Sequence, residues 1–466
     1  MRALMPGAAT RRGPRAARGT VRQRRRVSSQ RCAARLAGLA ALLLACGADA
    51  PRNAVLISVD TLRWDHVGLL GYARDTTPDV DAFFANSTVF ENAMSPGPCT
   101  LPTLAQILYG SYLVQPWRLS LAETLRARGY ATAAFVSQHQ FRPDWHDSGL
   151  GAELAESLTR GFDIFDVQAA EQVDRHGMSA RDARQVSARA LRWLSEGPRE
   201  PFFLWLHYFD PHDPYEPPTR FRGFDRGNAS ELDGDRRLQL MRGRRSAEEP
   251  WTQAGHVFGA EDVAHLRNLY DGEIRFTDAQ IGRIFDALTE RGLVERSVVV
   301  FVSDHGEWLG EGERWDHCQT LSEVEVRVPF FWSVGGGRLA DLGRVTTPVS
   351  TLDLVPTLLA LLGVDHSAEA FDGADLREPR PERPIFANWH GSTVARRGSW
   401  KLFVGEAPVA LFDLDSDGAE RRNRLGEGLA QEAQLARDVE AFRAAQPLAG
   451  LNREMLEHLR GLGYVD

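Results

Sequence analysis

The chain has 466 residues, 43% hydrophobic and 25% charged, an ordinary globular composition with room for one large core and a smaller appended unit. Its formal charge is -8, yet residues 1–45 carry eleven arginines and no acid, so the chain beyond them is far more acidic. That sign argues against a protein that holds nucleic acid through phosphate contacts.

Lys401 is the only lysine, which fits an arginine-biased composition and limits what an active site can contain. At the N-terminus an arginine-rich stretch through Arg35 precedes the apolar run Leu36–Cys46. That run has the length of a signal h-region and is too short to span a bilayer. Leu43-Leu44-Ala45-Cys46 resembles a bacterial lipoprotein box, with Cys46 as the lipidated residue. The expectation is a signal over residues 1–45 and a linker over 46–52. The protein is then exported to a bacterial envelope, periplasmic or at the cell surface, and meets the membrane by its lipid alone.

Ala54–Val59 is an unbroken apolar run and reads as a parallel strand buried on both faces. Similar runs recur at Ala131–Val136, Phe202–Tyr208, Val298–Ser303 and Pro329–Ser333. Helical periodicity lies between them, at Val80–Ala85, Leu121–Arg128, Ala180–Trp193, Val263–Leu288 and Leu352–Leu362. This alternation predicts an α/β fold with a mostly parallel central sheet sandwiched by helices. In such sheets, ligands bind beyond the carboxyl ends of the strands. Gly223–Glu249, rich in Arg, Asp and Glu, reads as a surface insertion. Prolines cluster at Glu378–Glu382, which divides a domain over 53–376 from a small C-terminal α+β subdomain over 377–466.

Three predicted strand ends carry polar residues that are costly to bury. Asp60 follows the first strand, and Asp304-His305 follows Val298–Ser303. His207, Asp210 and His212 follow Phe202–Leu206. Each alone reads as a cap or turn former, but together at one sheet edge they suit a divalent cation. Pro98-Cys99-Thr100-Leu101-Pro102-Thr103 precedes a helical pattern at Leu104–Tyr109, which places Thr100 just before a helix start that favours anions. From the local pattern alone, a plain N-cap is the preferred reading of Thr100. Cys99 and Cys318 each adjoin a candidate site residue, Thr100 and His317. Two buried thiols are the leading reading, with a disulfide or thiolate ligation as the alternatives.

Several strings, in order, resemble the sulfatase-like family of the alkaline phosphatase superfamily. They are Ile57-Ser58-Val59-Asp60-Thr61-Leu62-Arg63, Asp210-Pro211-His212-Asp213-Pro214-Tyr215, Tyr270-Asp271-Gly272-Glu273-Ile274 and Ser303-Asp304-His305-Gly306-Glu307. Arg327-Val328-Pro329 follows, and Trp400-Lys401-Leu402, Leu411-Phe412-Asp413-Leu414 and Leu459-Arg460-Gly461-Leu462-Gly463-Tyr464 are similar to the family's C-terminal strands and tail. The resemblance implies an alkaline-phosphatase-like fold and a hydrolase of sulfate or phosphate esters. It implies a metal held by Asp60, Thr100, Asp304 and His305, with Thr100 as the nucleophile. Sulfatases of this family carry a formylglycine within Cys/Ser-x-Pro-x-Arg, whereas alignment on Pro102 puts Thr100 at the nucleophile and Leu104 at the arginine. Threonine cannot become formylglycine.

Asp304-His305 resembles the zinc- or manganese-using phosphodiesterase and phosphonate hydrolase branches, and an imidazole ligand favours such metals over calcium. One metal is the preferred reading; a second would take Asp210, His212 and His317. His212 and His317 would also serve the leaving oxygen. The expected substrate is a small-molecule, glycan or lipid ester. The alternatives are a phosphotransferase acting on a lipid or glycan, and a non-catalytic binding protein on a degenerate scaffold.

Overall fold

The computed structural model describes residues 52–115, 117–137, 141, 150–167, 181–224, 259–335, 341–378 and 381–445. The leader, Cys46, nearly all of the predicted 223–249 insertion and the Leu459–Tyr464 string lie outside the described residues. Of the predicted strands, Asn53–Val59 becomes β1, the middle of a large sheet and buried along its whole length. The other strands are β2 (Thr88–Met94), β3 (Ala131–Val136), β4 (Ile164–Asp166), β5 (Phe202–Tyr208) and β6 (Ser297–Ser303). β7 (Trp308–Leu309) and β8 (Trp315–Asp316) pair only with each other. β9 (Arg327–Val334), β10 (Arg344–Val345) and β11 (Val349–Ser350) complete a nine-stranded sheet of order β10-β2-β9-β6-β1-β5-β3-β4, with β11 also on β2.

Side chains alternate across β1 and β6, and both sides are buried. Leu56, Val300 and Val302 face one core, packed with the helices Thr100–Tyr109, Leu121–Ala127, Leu150–Thr159 and Leu354–Leu361. Ile57, Val299 and Phe301 face the other, against the helices Pro78–Phe84, Ala183–Ser195 and Ala260–Glu290. Each such fully buried aliphatic or aromatic side chain contributes about 1.5–3 kcal/mol. Coverage on both faces explains why these strands read as continuous apolar runs.

The sheet is mostly parallel, as expected, but β9 runs antiparallel to both β6 and β2. A run buried on both faces carries no sign of its direction. Between β6 and β9 the chain makes the short β7–β8 pair and a four-residue helix, with no long helix packed across the sheet.

The C-terminal subdomain is a four-stranded antiparallel sheet of β12 (Ile385–Trp389), β13 (Ser392–Arg397), β14 (Trp400–Val404) and β15 (Pro408–Asp413). The Ala430–Ala445 helix covers it through Leu435 and Val439, which pack with Ala395, Leu402 and Leu411. Among the described residues, no helix is long and apolar enough to cross a membrane.

Candidate active site

Parallel register builds the site. β1 and β6 are neighbours with Val59 opposite Ser303, so the next residues, Asp60 and Asp304, leave the sheet side by side. Both carboxylates and the following His305 are wholly buried. His305 Nε2 lies 3.6 Å from Asp60 Oδ1 and 3.6 Å from Asp304 Oδ2. Gly306 lets the Val324 backbone pack against the chain here, because a Cβ on it would lie 2.2 Å from the Val324 carbonyl oxygen.

The protonation of His305 follows from its other nitrogen. Nδ1 sits 2.9 Å from the Gly306 carbonyl, which can only accept, so Nδ1 carries the proton and Nε2 presents a lone pair. Burial, then His317, hold this imidazole well below its ordinary pKa, so it is neutral. Asp304 Oδ1 accepts from the His305 backbone N–H at 2.9 Å, while Oδ2 has no hydrogen-bond partner. Burial, then Asp60, push the Asp304 carboxyl well above the carboxylate range. Two desolvated carboxylates and one imidazole lone pair converge, with ligand atoms within 4.8 Å of one another. That donor set fits a divalent cation, which would offset the repulsion.

Thr100 completes the cluster. It is the first residue of its helix rather than the residue before it; Cys99, in extended backbone at φ -141°, is the N-cap and makes no side-chain capping bond. The N-cap reading of Thr100 is therefore corrected. Its Oγ1 lies 3.1 Å from His305 Nε2 and 3.3 Å from Asp60 Oδ1. Leu104, one turn on, belongs to the apolar core.

Cys99 and Cys318 form a disulfide with Cα atoms 4.8 Å apart, which corrects the two-thiol reading and leaves neither sulfur to bind a metal. Sequence spacing could not show this, because 219 residues separate the pair.

His317 and His212 meet beside this cluster. Their ring centroids are 4.8 Å apart, and His317 lies 4.7 Å from His305. His212 Nδ1–H donates to the Asp213 carbonyl at 2.7 Å with the Asp213 carboxylate Oδ1 3.0 Å away, and His317 Nδ1 is ion-paired with Asp316 Oδ1 at 2.9 Å. Burial opposes the charge on His212, but Asp213 outweighs it and its pKa rises to about 9. Burial likewise opposes charge on His317, yet Asp316 and Glu307 lift it well above the ordinary imidazole value. Asp210 turns away: its Oδ2 accepts from the Ala183 N–H at 2.7 Å, where a helix begins. Among the described residues only Asp60, Asp304 and His305 form a group of three donors, so the second metal set does not converge.

His207 stays within β5, its Nδ1 2.8 Å from Ser58 Oγ, and burial pushes its pKa down to about 3. Sequence reasoning gave no role to Asp213, Asp316 or Glu307. Their signal was adjacency: each lies within two residues of a candidate histidine. Tyr215 donates to Glu307 Oε1 at 2.6 Å, and only the structure shows that pairing.

A parallel sheet edge here gathers two carboxylates, an imidazole and a hydroxyl at a helix start, a donor set that could hold a divalent cation. The model of the family described as Sulfatase matches residues 52–364, and the chain belongs to the sulfatase family. An arylsulfatase of Clostridium perfringens is 25% identical over 440 residues, covering 80% of this chain and 90% of its own. The phosphonate monoester hydrolase of Agrobacterium radiobacter shares the fold, with a TM-score of 0.67 at 20% identity over 84% of this chain and 95% of its own. A structure solved with its substrate, D-glucosamine-2-N,6-O-disulfate, aligns with a TM-score of 0.65 at 17% identity, covering 84% and 98% of the two chains. The protein is thus an ester hydrolase of a metal-dependent family, with Asp60, Asp304 and His305 as its candidate metal triad.

Proposed function

We propose that this enzyme hydrolyses sulfate, phosphonate or phosphodiester monoanions with Thr100 as its nucleophile in place of formylglycine. The observation that carries the reading is the Thr100 hydroxyl within 3.3 Å of both His305 Nε2 and Asp60 Oδ1. Threonine cannot be oxidised to an aldehyde, and the adjacent Cys99, which in principle could, is consumed in a disulfide.

Asp60, Asp304 and His305 would hold the metal, with Thr100 beside them; the imidazole favours zinc or manganese, and calcium remains a weaker fit. A divalent cation bound there would neutralise the ester's non-bridging oxygens and lower the pKa of a nearby hydroxyl. Thr100 passes its proton to Asp60 Oδ1, 3.3 Å away, as Oγ1 bonds to sulfur or phosphorus and the bond to the leaving oxygen breaks. The carboxylates behind the two Nδ1 atoms leave the Nε2–H groups of His212 and His317 as proton donors to that oxygen. Water then cleaves the threonine ester.

Charge supports a monoanionic substrate. The one lysine, Lys401, is wholly buried against Glu323, and the family's arginine position is the core residue Leu104. Two histidines then supply much of the positive charge, enough for one formal negative charge on the reacting group. The substrate's remainder is a small molecule, glycan or lipid. Export with a lipid anchor at Cys46 is part of the reading, supported by the disulfide, which persists in oxidising compartments.

The test is a screen of 4-nitrophenyl sulfate, 4-nitrophenyl phenylphosphonate, a bis-aryl phosphodiester and a phosphomonoester, with zinc, manganese or calcium. Turnover of at least one of the monoanions, above that of the phosphomonoester, is expected. A preference for the phosphomonoester would overturn the reading.

A further inference from the structure

The loop that carries His317 holds itself chiefly beyond Cys318, where Glu325 accepts from the Gln319 N–H at 2.9 Å and the Thr320 N–H at 2.7 Å. Its only ladder is the two-residue pairing of β7 with β8. Asp316 at φ 75° and Cys318 at φ 62° flank His317, and both are non-glycine residues in the left-handed region, which costs free energy on either side of the imidazole.

Its far end is tied down from outside. The Cys318 N–H donates to the Pro98 carbonyl at 3.0 Å, and Trp389 Nε1–H donates to the Cys318 carbonyl at 2.8 Å. The covalent tie is the disulfide to Cys99. Thus one bridge joins the residue before Thr100 to the residue after His317. Both cysteines lie outside β1 and β6, so the bridge does not itself join the central strands.

We propose that the Cys99–Cys318 disulfide is a positioning element for catalysis, fixing the His317 imidazole relative to the Thr100 hydroxyl so that reduction impairs turnover without unfolding the protein. This rests on Thr100 as nucleophile and His317 as proton donor to the leaving oxygen. A dithiol reductant would pass two electrons and two protons to the bridge, leaving Cys99 and Cys318 as thiols and itself as a cyclic disulfide. The loop then keeps its two hydrogen bonds to Cys318 but loses the covalent limit on where His317 sits. A misplaced acid matters most where the leaving group is poor, because a nitrophenolate departs with little need of a proton.

The experiment compares oxidised, dithiothreitol-reduced and reoxidised wild type with the Cys99→Ala/Cys318→Ala variant, all as full-length protein. Turnover is measured on the 4-nitrophenyl and phenyl esters of whichever acid the enzyme hydrolyses. Hydrogen exchange is followed in residues 314–320 and in β1. Without the bridge, kcat for the phenyl ester should fall about tenfold or more and for the 4-nitrophenyl ester distinctly less. KM should stay nearly constant, exchange should rise in 314–320 but not in β1, and reoxidation should restore the wild type. Equal losses on both esters, or no loss, would overturn the proposal. If the variant fails to fold, the reduced wild type decides by the same criteria. Thr100→Ala separates this inference from the reading beneath it. Near wild-type turnover in Thr100→Ala sinks the nucleophile assignment, while an inactive Thr100→Ala beside an unimpaired disulfide-free enzyme sinks only the positioning role.

Discussion

Thr100 Oγ1 lies 3.1 Å from His305 Nε2, and the same imidazole spends its Nδ1 proton on the Gly306 carbonyl. The ring can therefore only accept while neutral, so the single Thr100 hydroxyl proton goes either to His305 Nε2 or to Asp60 Oδ1, 3.3 Å away. Thr100→Ala should lower kcat by ~10³-fold or more with the melting temperature nearly unchanged, as expected for lost covalent catalysis. Thr100→Ser keeps the oxygen and should retain far more activity. Steady-state kinetics on an aryl ester check this; an alanine variant as fast as the serine variant would remove Thr100 from the mechanism.

Asp304 offers a sign that can be tested without any substrate. Its carboxyl is raised above its unfolded value by burial and by Asp60, so this group holds its proton to higher pH in the metal-free fold than in the unfolded chain. Metal-free stability then falls as pH rises above the ordinary carboxylate range. Asp304→Asn removes that penalty and should melt higher than wild type in chelator at pH 8. With zinc or manganese at a hundred times the dissociation constant, binding adds about 2.7 kcal/mol to the wild type, and the order should reverse. Thermal melts in the two conditions decide it. A variant that melts below wild type in both would show that Asp304 is structural.

Much of this arrangement was legible in the sequence because burial on both sheet faces leaves continuous apolar runs, and Asp60 and Asp304 end two of them. β2 was not, since Glu91 and Asn92 interrupt its apolar pattern. The Leu150–Thr159 helix was missed as well. The direction of β9 was hidden because a doubly buried strand looks alike either way. Local chemistry also failed where long-range contacts decide: the bridge from Cys99 to Cys318 spans 219 residues and the bond from Trp389 to the same loop spans 71. Thr100 was placed one residue early relative to its helix, because Cys99 caps it without a side-chain bond.

Leu104 tests whether the family's arginine can be restored. It is 1% exposed and packs in the core beneath the sheet, so a guanidinium there would be desolvated before it reached a substrate. Leu104→Arg should destabilise the protein by about 3 kcal/mol or more and leave sulfate turnover no higher. Denaturant titration and an arylsulfatase assay read the two effects. A variant of wild-type stability with raised sulfatase activity would mean that position 104 opens onto the site.

The last prediction concerns the joint between the subdomain and the sheet. Lys401 Nζ is 2.9 Å from Glu323 Oε1 and 2.9 Å from Glu420 Oε1, and Arg396 reaches Glu323 Oε2 at 3.3 Å. Burial works against the Glu323 carboxylate, but Lys401 and then Arg396 outweigh it and hold its pKa down to about 2. A depressed folded pKa means that this stability is present above the unfolded value near 4.5 and is lost as pH falls toward about 2. Glu420 runs the other way, because burial raises its carboxyl despite Lys401, so it offsets part of the acid loss. Glu323→Gln should therefore be less stable than wild type at pH 7 and approach it near pH 2. Lys401→Met leaves two buried carboxylates short of a counter-charge and should cost about 3–5 kcal/mol at pH 7. Urea unfolding at pH 7, 4 and 2.5 measures both. If the wild type and Glu323→Gln differ by the same amount at all three pH values, Glu323 is not ionised by its partners, and the charge at this joint contributes nothing to the fold.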